Sequence, residues 1–187
     1  MLKVWLAVFS FALFITGAQA AEPYTLNPGD VLEISVWKEE GMQRQVAVLP
    51  DGNISFPLAG HVKASGMTPA QLRTVLQKKL KNFFADPVLT VSVLQVTGNK
   101  IYVIGQVRTP GEFPANRPVD VMQALSLAGG LTTFAAQDEI RILRRDASGK
   151  QRALKFSYSD VSKGKALGSN IVLRSGDVVV VPTSGIF

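Results

Sequence analysis

The pattern Leu-x-x-Gly-Asp-Val stands at both ends of the chain, as Leu26-Asn27-Pro28-Gly29-Asp30-Val31 and as Leu173-Arg174-Ser175-Gly176-Asp177-Val178. Each copy runs straight into β-formers, Leu32-Glu33-Ile34-Ser35-Val36-Trp37 in the first and Val179-Val180-Val181 in the second. Glycine reaches positive φ without steric cost, and an adjacent Asp can accept from nearby backbone N–H groups. The phrase therefore predicts a tight turn at Gly29-Asp30 and again at Gly176-Asp177, each feeding a buried strand. The repetition reads as a recurring local solution rather than as two copies of an active site.

Between the two phrases the periodicity changes several times. Leu32, Ile34 and Val36 alternate onto one face, a half-buried strand. A second strand is expected over residues 44–49. Pro50-Asp51-Gly52-Asn53 is a strong turn signal, with Asp51 and Gly52 at its centre, and residues 54–58 read as the return strand. Thr68, Pro69 and Gln71 form a helix start with an N-cap, a proline at the first helical position and a capping box. Leu72, Val75, Leu76, Leu80 and Phe83 follow at helical spacing. Lys78, Lys79 and Lys81 fall mostly off that stripe and suit the negative end of the helix dipole, which explains them without a binding role. Asp86-Pro87 breaks the helix, and residues 88–96 form a long strand. Gly98-Asn99 marks a joint.

The second half starts again with a strand over 100–107, a turn at Thr109-Pro110-Gly111-Glu112 and a short return strand over 112–114. A helix covers roughly 119–128, with Val121, Met122, Leu125 and Ala128 buried. Gly129-Gly130 closes it in the left-handed manner. A hairpin pairs 139–144 with 151–156, a helical turn lies near 158–163, and strands are expected at 171–173 and 178–181. The fold class is α+β in two small domains: β-β-β-α-β over residues 21–97, then β-β-α-β-β-β over residues 98–187, an order that suits a β-grasp.

Residues 1–20, MLKVWLAVFSFALFITGAQA, carry a basic start, an apolar run of about 12 residues and a small-x-small ending. The run is shorter than the ~20 residues of a spanning helix. We read a secretory signal cleaved between Ala20 and Ala21; the alternative is an uncleaved N-terminal anchor. With no cysteine, the sequence excludes disulfides, thiolate metal sites and a lipid-bearing cysteine. Charge is uneven. Residues 21–97 hold seven Lys/Arg and seven Asp/Glu, whereas residues 98–187 hold twelve and seven. A basic second half favours an anionic partner, and for an exported protein an acidic glycan or membrane face ranks above nucleic acid.

Catalytic signals are weak. His61 is the only histidine and sits near a turn. Asp138-Glu139 and Glu39-Glu40 are adjacent pairs, whose side chains diverge on a strand. No nucleophile elbow or phosphate-cradling loop occurs. The reading is of no enzyme, no cofactor and no metal site. The stronger signal is the hairpin carrying Arg141, Arg144, Arg145, Lys150, Arg152 and Lys155. Alternation puts Arg141 with Leu143 and puts Arg144 with Ile140 and Ile142, so the cations cannot share one face. Arg141, Arg144 and Arg145 are the candidate polymer contacts, and the plain alternative is a hairpin edge protected by charge.

These motifs, in order, resemble a known family. Tyr24-Thr25-Leu26-Asn27-Pro28-Gly29-Asp30-Val31-Leu32, Leu49-Pro50-Asp51-Gly52-Asn53-Ile54, Pro57-Leu58-Ala59-Gly60, Gly66-Met67-Thr68-Pro69 and Asp86-Pro87-Val88 resemble the polysaccharide export domain of bacterial outer-membrane exporters. Val103-Ile104-Gly105-Gln106-Val107, Pro110-Gly111, Ala128-Gly129-Gly130-Leu131 and Gly176-Asp177-Val178 resemble the soluble ligand-binding β-grasp module that follows it. The resemblance implies a non-enzymatic conduit: a homo-oligomeric ring that passes capsular polysaccharide or exopolysaccharide out of the periplasm and works with an inner-membrane co-polymerase. Long members carry a lipidated cysteine and a C-terminal pore helix; neither is visible here. The expectation is a short periplasmic member, associated with the outer membrane, that needs a separate β-barrel. The alternative is a periplasmic glycan-binding or regulatory module that forms no conduit.

Overall fold

The computed structural model describes residues 23–146 and 148–185. The expected signal cleavage at Ala20-Ala21 lies outside the described residues. In the first half, β1 (Val31–Val36), β2 (Arg44–Ala47), β3 (Asn53–Phe56) and β4 (Gly60–Lys63) precede α1 (Pro69–Leu80) and β5 (Leu89–Gln95). β1 is the centre of a three-stranded sheet in the order β2-β1-β5, antiparallel to both neighbours. Its alternation holds: Leu32, Ile34 and Val36 are buried. The N-terminus of α1 is the predicted one, with Thr68 Oγ1 accepting from Gln71 N–H at 3.2 Å and Gln71 Oε1 accepting from Thr68 N–H at 2.8 Å. Leu72, Leu76 and Leu80 lie in one core with Leu26, Leu32, Ile34, Ile54, Phe56 and Leu89. Each such side chain taken from water contributes about 1.5–3 kcal/mol.

Two expectations fail here. The strand after the Pro50–Asn53 turn does not return along β2; β3 pairs instead with β4, Ile54 opposite Val62. The chain reverses after Phe56 through Leu58 at φ 63° and Gly60 at φ 66°, which creates an extra strand and a separate hairpin. Phe83 leaves the helical stripe because α1 stops at Leu80, so the 3.6-residue register no longer applies; Phe83 is exposed and Phe84 packs on the core in its place.

The second half comprises β6 (Lys100–Gly105), β7 (Gly111–Pro114), α2 (Val121–Leu127), β8 (Ile140–Arg145), β9 (Gln151–Phe156), α3 (Tyr158–Ser162) and β10 (Val178–Val181). They build a five-stranded mixed sheet in the order β7-β6-β10-β8-β9, with β10 parallel to β6 and antiparallel to β8. Asp120 caps α2, its carboxylate accepting from Gln123 N–H at 2.8 Å. The expected end at Gly129-Gly130 forms as a Schellman motif, Gly130 N–H donating to Leu125 O at 2.9 Å and Gly129 N–H to Ser126 O at 3.0 Å. Residues 171–173 are not a strand: one bridge joins Val172 to Asp120, and Leu173 N–H donates to Val119 O at 2.8 Å. Ile101, Val103, Ile140, Ile142, Phe156, Val179 and Val181 supply the inner face of the sheet to a second core, where Val121, Ala124, Leu125 and Ala128 of α2 and Val161 of α3 meet them. Both helices thus pack on one side, and the other face of the sheet stays open.

Candidate functional site

Both copies of the repeated phrase close a β-turn with glycine in its third position. Asp30 N–H donates to Asn27 O at 3.1 Å with Gly29 at φ 98°, and Asp177 N–H donates to Arg174 O at 3.0 Å with Gly176 at φ 83°. Positive φ at that position is the type II turn, which selects glycine. In each copy the carboxylate folds back onto the first turn residue, accepting from Asn27 N–H and from Arg174 N–H, both at 2.8 Å. Each glycine N–H reaches a neighbouring segment, Val48 O in one case and Lys100 O in the other, both at 2.8 Å.

Both carboxylates are sealed from water, Asp30 at 0% and Asp177 at 1% exposure. A buried carboxylate needs donors for its remaining lone pairs. The two copies find them differently. Asp30 accepts from the Tyr24 hydroxyl and from Gly98 N–H at 2.9 Å. Burial, then the hydrogen bond to Asp30, pushes the Tyr24 phenol well above its ordinary range. Asp177 accepts from the Arg144 guanidinium, Nε at 3.0 Å and Nη2 at 2.6 Å, in a fork-to-fork ion pair.

Both turns also bond one connector. Gly98 N–H bonds Asp30, while Gly98 O accepts from Ser175 Oγ at 3.0 Å, and the Thr97 hydroxyl donates to Gly29 O. A Cβ at position 98 would stand 2.2 Å from Pro28 O, so only glycine lets the connector pass this close. Two turns from opposite ends of the sequence grip the same short connector between the cores.

The candidate polymer contacts separate. Arg144 points to the inner side of the sheet and is held by Asp177 and by Val172 O at 3.1 Å. Alternation places it beside Ile140 and Ile142, and an arginine on a half-buried face calls for acceptors, a carboxylate or carbonyl oxygens, without naming which residue supplies them. Arg145 donates to Gly149 O at 2.9 Å at the hairpin end. Arg141 lies on the open face, directly opposite Lys155 and next to Val180. Neither Tyr24 nor Gly98 carried a sequence signal for its role at Asp30.

The other singled-out residues serve local structure. Asp51 accepts from Asn53 N–H at 2.9 Å, and hydrogen bonds from the Asn53 backbone and side chain hold its carboxyl below the usual range; Gly52 N–H donates to Leu49 O at 2.7 Å. His61 is exposed on β4, opposite Ser55. Asp138 accepts from Ser159 Oγ, from Ser157 Oγ at 2.8 Å and from Ser159 N–H at 3.1 Å, which ties the start of α3 down and lowers the Asp138 carboxyl. Two shallow hollows of about 220 and 490 Å³ flank α1, the first lined by Pro69, Arg73 and Val91 and the second by Met67, Gln71 and Val75; neither gathers a titratable pair. Among the described residues there is no metal-binding cluster, and no helix is long and apolar enough to cross a membrane.

Comparison with known proteins joins these halves. Residues 18–94 match the family described as polysaccharide biosynthesis/export protein, and residues 99–181 match the SLBB domain. The EPS I polysaccharide export outer membrane protein EpsA of Ralstonia nicotianae is 32% identical over 186 residues, covering 86% of this chain and 48% of the relative. The capsule polysaccharide export outer membrane protein CtrA of Neisseria meningitidis serogroup A is 27% identical over 198 residues, covering 94% and 48%. The polysialic acid transport protein KpsD of Escherichia coli is 34% identical over 109 residues, covering 58% and 20%. The chain thus spans about half the length, or less, of the curated relatives it matches. With the export domain and the SLBB domain following one another in that order, this chain belongs to the polysaccharide export family.

Proposed function

We propose that this chain is a periplasmic component of a machine that exports capsular polysaccharide or exopolysaccharide. It assembles as a homo-oligomeric ring through which polymer passes, binding polymer without turning it over. An inner-membrane co-polymerase supplies the polymer, and a separate outer-membrane β-barrel receives it. The observation that carries the reading is the ordered match of both halves, together with a relative named as an export outer membrane protein along 86% of the chain. The joint at Gly98 supports it, since a ring wall needs two domains held at one angle, and here both Gly-Asp turns hold the connector. A relative named for polysialic acid transport supports an acidic polymer, in keeping with twelve Lys/Arg against seven Asp/Glu in residues 98–187.

Deleting the gene tests the reading directly. Loss of surface polysaccharide with periplasmic or stalled polymer places the protein on the export route. Surface polymer unchanged in amount and length removes it from that route and favours a glycan-binding module instead. Light scattering on the purified chain tests the ring: a monomer or dimer at micromolar concentration overturns the conduit.

A further inference from the structure

The open face of the second sheet has a definite composition. Its rows follow from the strand register. One row runs Ile104, Val180, Arg141, Lys155; the next runs Glu112, Tyr102, Val178, Leu143, Ala153. Ile104 and Tyr102 are exposed, Val178, Val180 and Leu143 are half-buried, and Arg141 and Lys155 are exposed. The result is a flat apolar floor with cations along one side. At about 4.8 Å between strands, the first row is roughly 14 Å long.

The cations are the telling part. Arg141 and Lys155 stand directly opposite one another, and like charges so placed destabilise a sheet. The same hairpin holds a second such pair, Arg144 opposite Arg152, and there each cation has its own carboxylate: Asp177 at 2.6 Å and Asp146 at 3.6 Å. Among the described residues neither Arg141 nor Lys155 lies within ion-pair distance of any carboxylate. Edge protection accounts for Lys155, which is on the outermost strand β9, but not for Arg141, which is on β8 with neighbours on both sides.

We propose that this face, with Tyr102 and Ile104 as floor and Arg141 and Lys155 as anion contacts, binds an acidic polysaccharide. The unmatched cations call for a polyanion, and the flat apolar strip beside them suits the C–H faces of sugar rings, for which a tyrosine offers an amphipathic platform. A long open strip accepts a chain without requiring an enclosed pocket. The proposal rests on the export reading for its choice of a polysaccharide; the face itself is argued from the register.

The test is an NMR titration of the isotope-labelled chain 21–187 at physiological salt. Oligogalacturonate serves as the acidic sugar, dextran oligomers as the neutral sugar and oligoglutamate as the non-sugar polyanion. Oligogalacturonate is expected to shift amides of β6, β8, β9 and β10, with no response to dextran and a weaker one to oligoglutamate. Arg141→Ala with Lys155→Ala should weaken binding about tenfold or more, and Tyr102→Ala severalfold. Because the double substitution removes a like-charge pair, its melting temperature should not fall, which separates lost contact from lost fold. No binding of oligogalacturonate, equal binding of oligoglutamate, indifference to Tyr102→Ala, or shifts confined to the first domain each overturn the proposal. The export reading fails separately: binding as described, with surface polymer unchanged in the deletion strain, leaves this face intact and removes the conduit.

Discussion

Arg144 and Asp177 are the most informative pair to break, because their burial assigns Arg144 a role unlike that of Arg141. The Asp177 side chain is 1% exposed and the Arg144 side chain 20%, with Nη2–Oδ2 at 2.6 Å. Removing one member of a buried pair leaves the other charge without compensation, at a cost of roughly 3–5 kcal/mol. The remaining exposure of Arg144, and the Arg174 N–H that still bonds Asp177, put Arg144→Met near the lower end. At roughly 1.5 kcal/mol per molar urea for a domain of this size, a loss of about 3 kcal/mol lowers the midpoint by about 2 M. The assay is urea unfolding of the chain 21–187 by far-UV circular dichroism. Trp37, the sole tryptophan once residues 1–20 are gone, reports the first domain by fluorescence, and its transition should move far less. Arg144→Met with Asp177→Leu removes both charges, so it should recover part of the loss; it still forfeits the hydrogen bond that the Asp177 carboxylate accepts from Arg174 N–H. A single-variant cost below about 1 kcal/mol, or a double variant equal to the sum of the singles, would refute the buried-pair argument.

Other substitutions test the joint and the pH dependence. Tyr24→Phe removes a donor to buried Asp30 and should cost about 1.5–3 kcal/mol at neutral pH. In the parent the raised phenol pKa means that Tyr24 stabilises the fold below its unfolded value of 10.0 and loses that contribution as pH rises beyond it, so the alkaline limb of a stability–pH curve should flatten in the variant. Gly98→Ala sets a Cβ 2.2 Å from Pro28 O, so the connector must shift; a loss of about 1–3 kcal/mol and faster exchange of the Gly98 amide are expected, whereas unchanged exchange would mean the grip is not tight. For Asp138, hydrogen bonds from Ser159 Oγ and then Ser157 Oγ lower the carboxyl, so its contribution is present above about pH 4 and fades as pH falls through the depressed value. Asp138→Asn should therefore weaken α3 at neutral pH, by helix-amide exchange, and leave it less sensitive to acid.

What the sequence disclosed was whatever is encoded within one turn of chain. The caps of α1 and the glycine end of α2 depend on residues three to five apart, and both formed as expected. Strand pairing depends on distant partners. Pro50-Asp51-Gly52-Asn53 does make its turn, yet β3 leaves β2 for β4, because the reversal after Phe56 runs through Leu58 at φ 63°, a conformation no leucine propensity suggests. The same distinction divides the site. Period-two alternation was enough to split Arg141 from Arg144. It could not say that Asp177 lies under Arg144, that Lys155 faces Arg141, or that Ile104 and Val180 continue the row, since those are matters of register. A count of basic residues on this hairpin therefore overstates the charge offered to a partner: Arg144 neutralises the acid of the closing Gly-Asp turn, Arg145 holds the hairpin end and Arg152 has Asp146 within 3.6 Å, which leaves Lys150 at the hairpin end and, on the open face, Arg141 with Lys155.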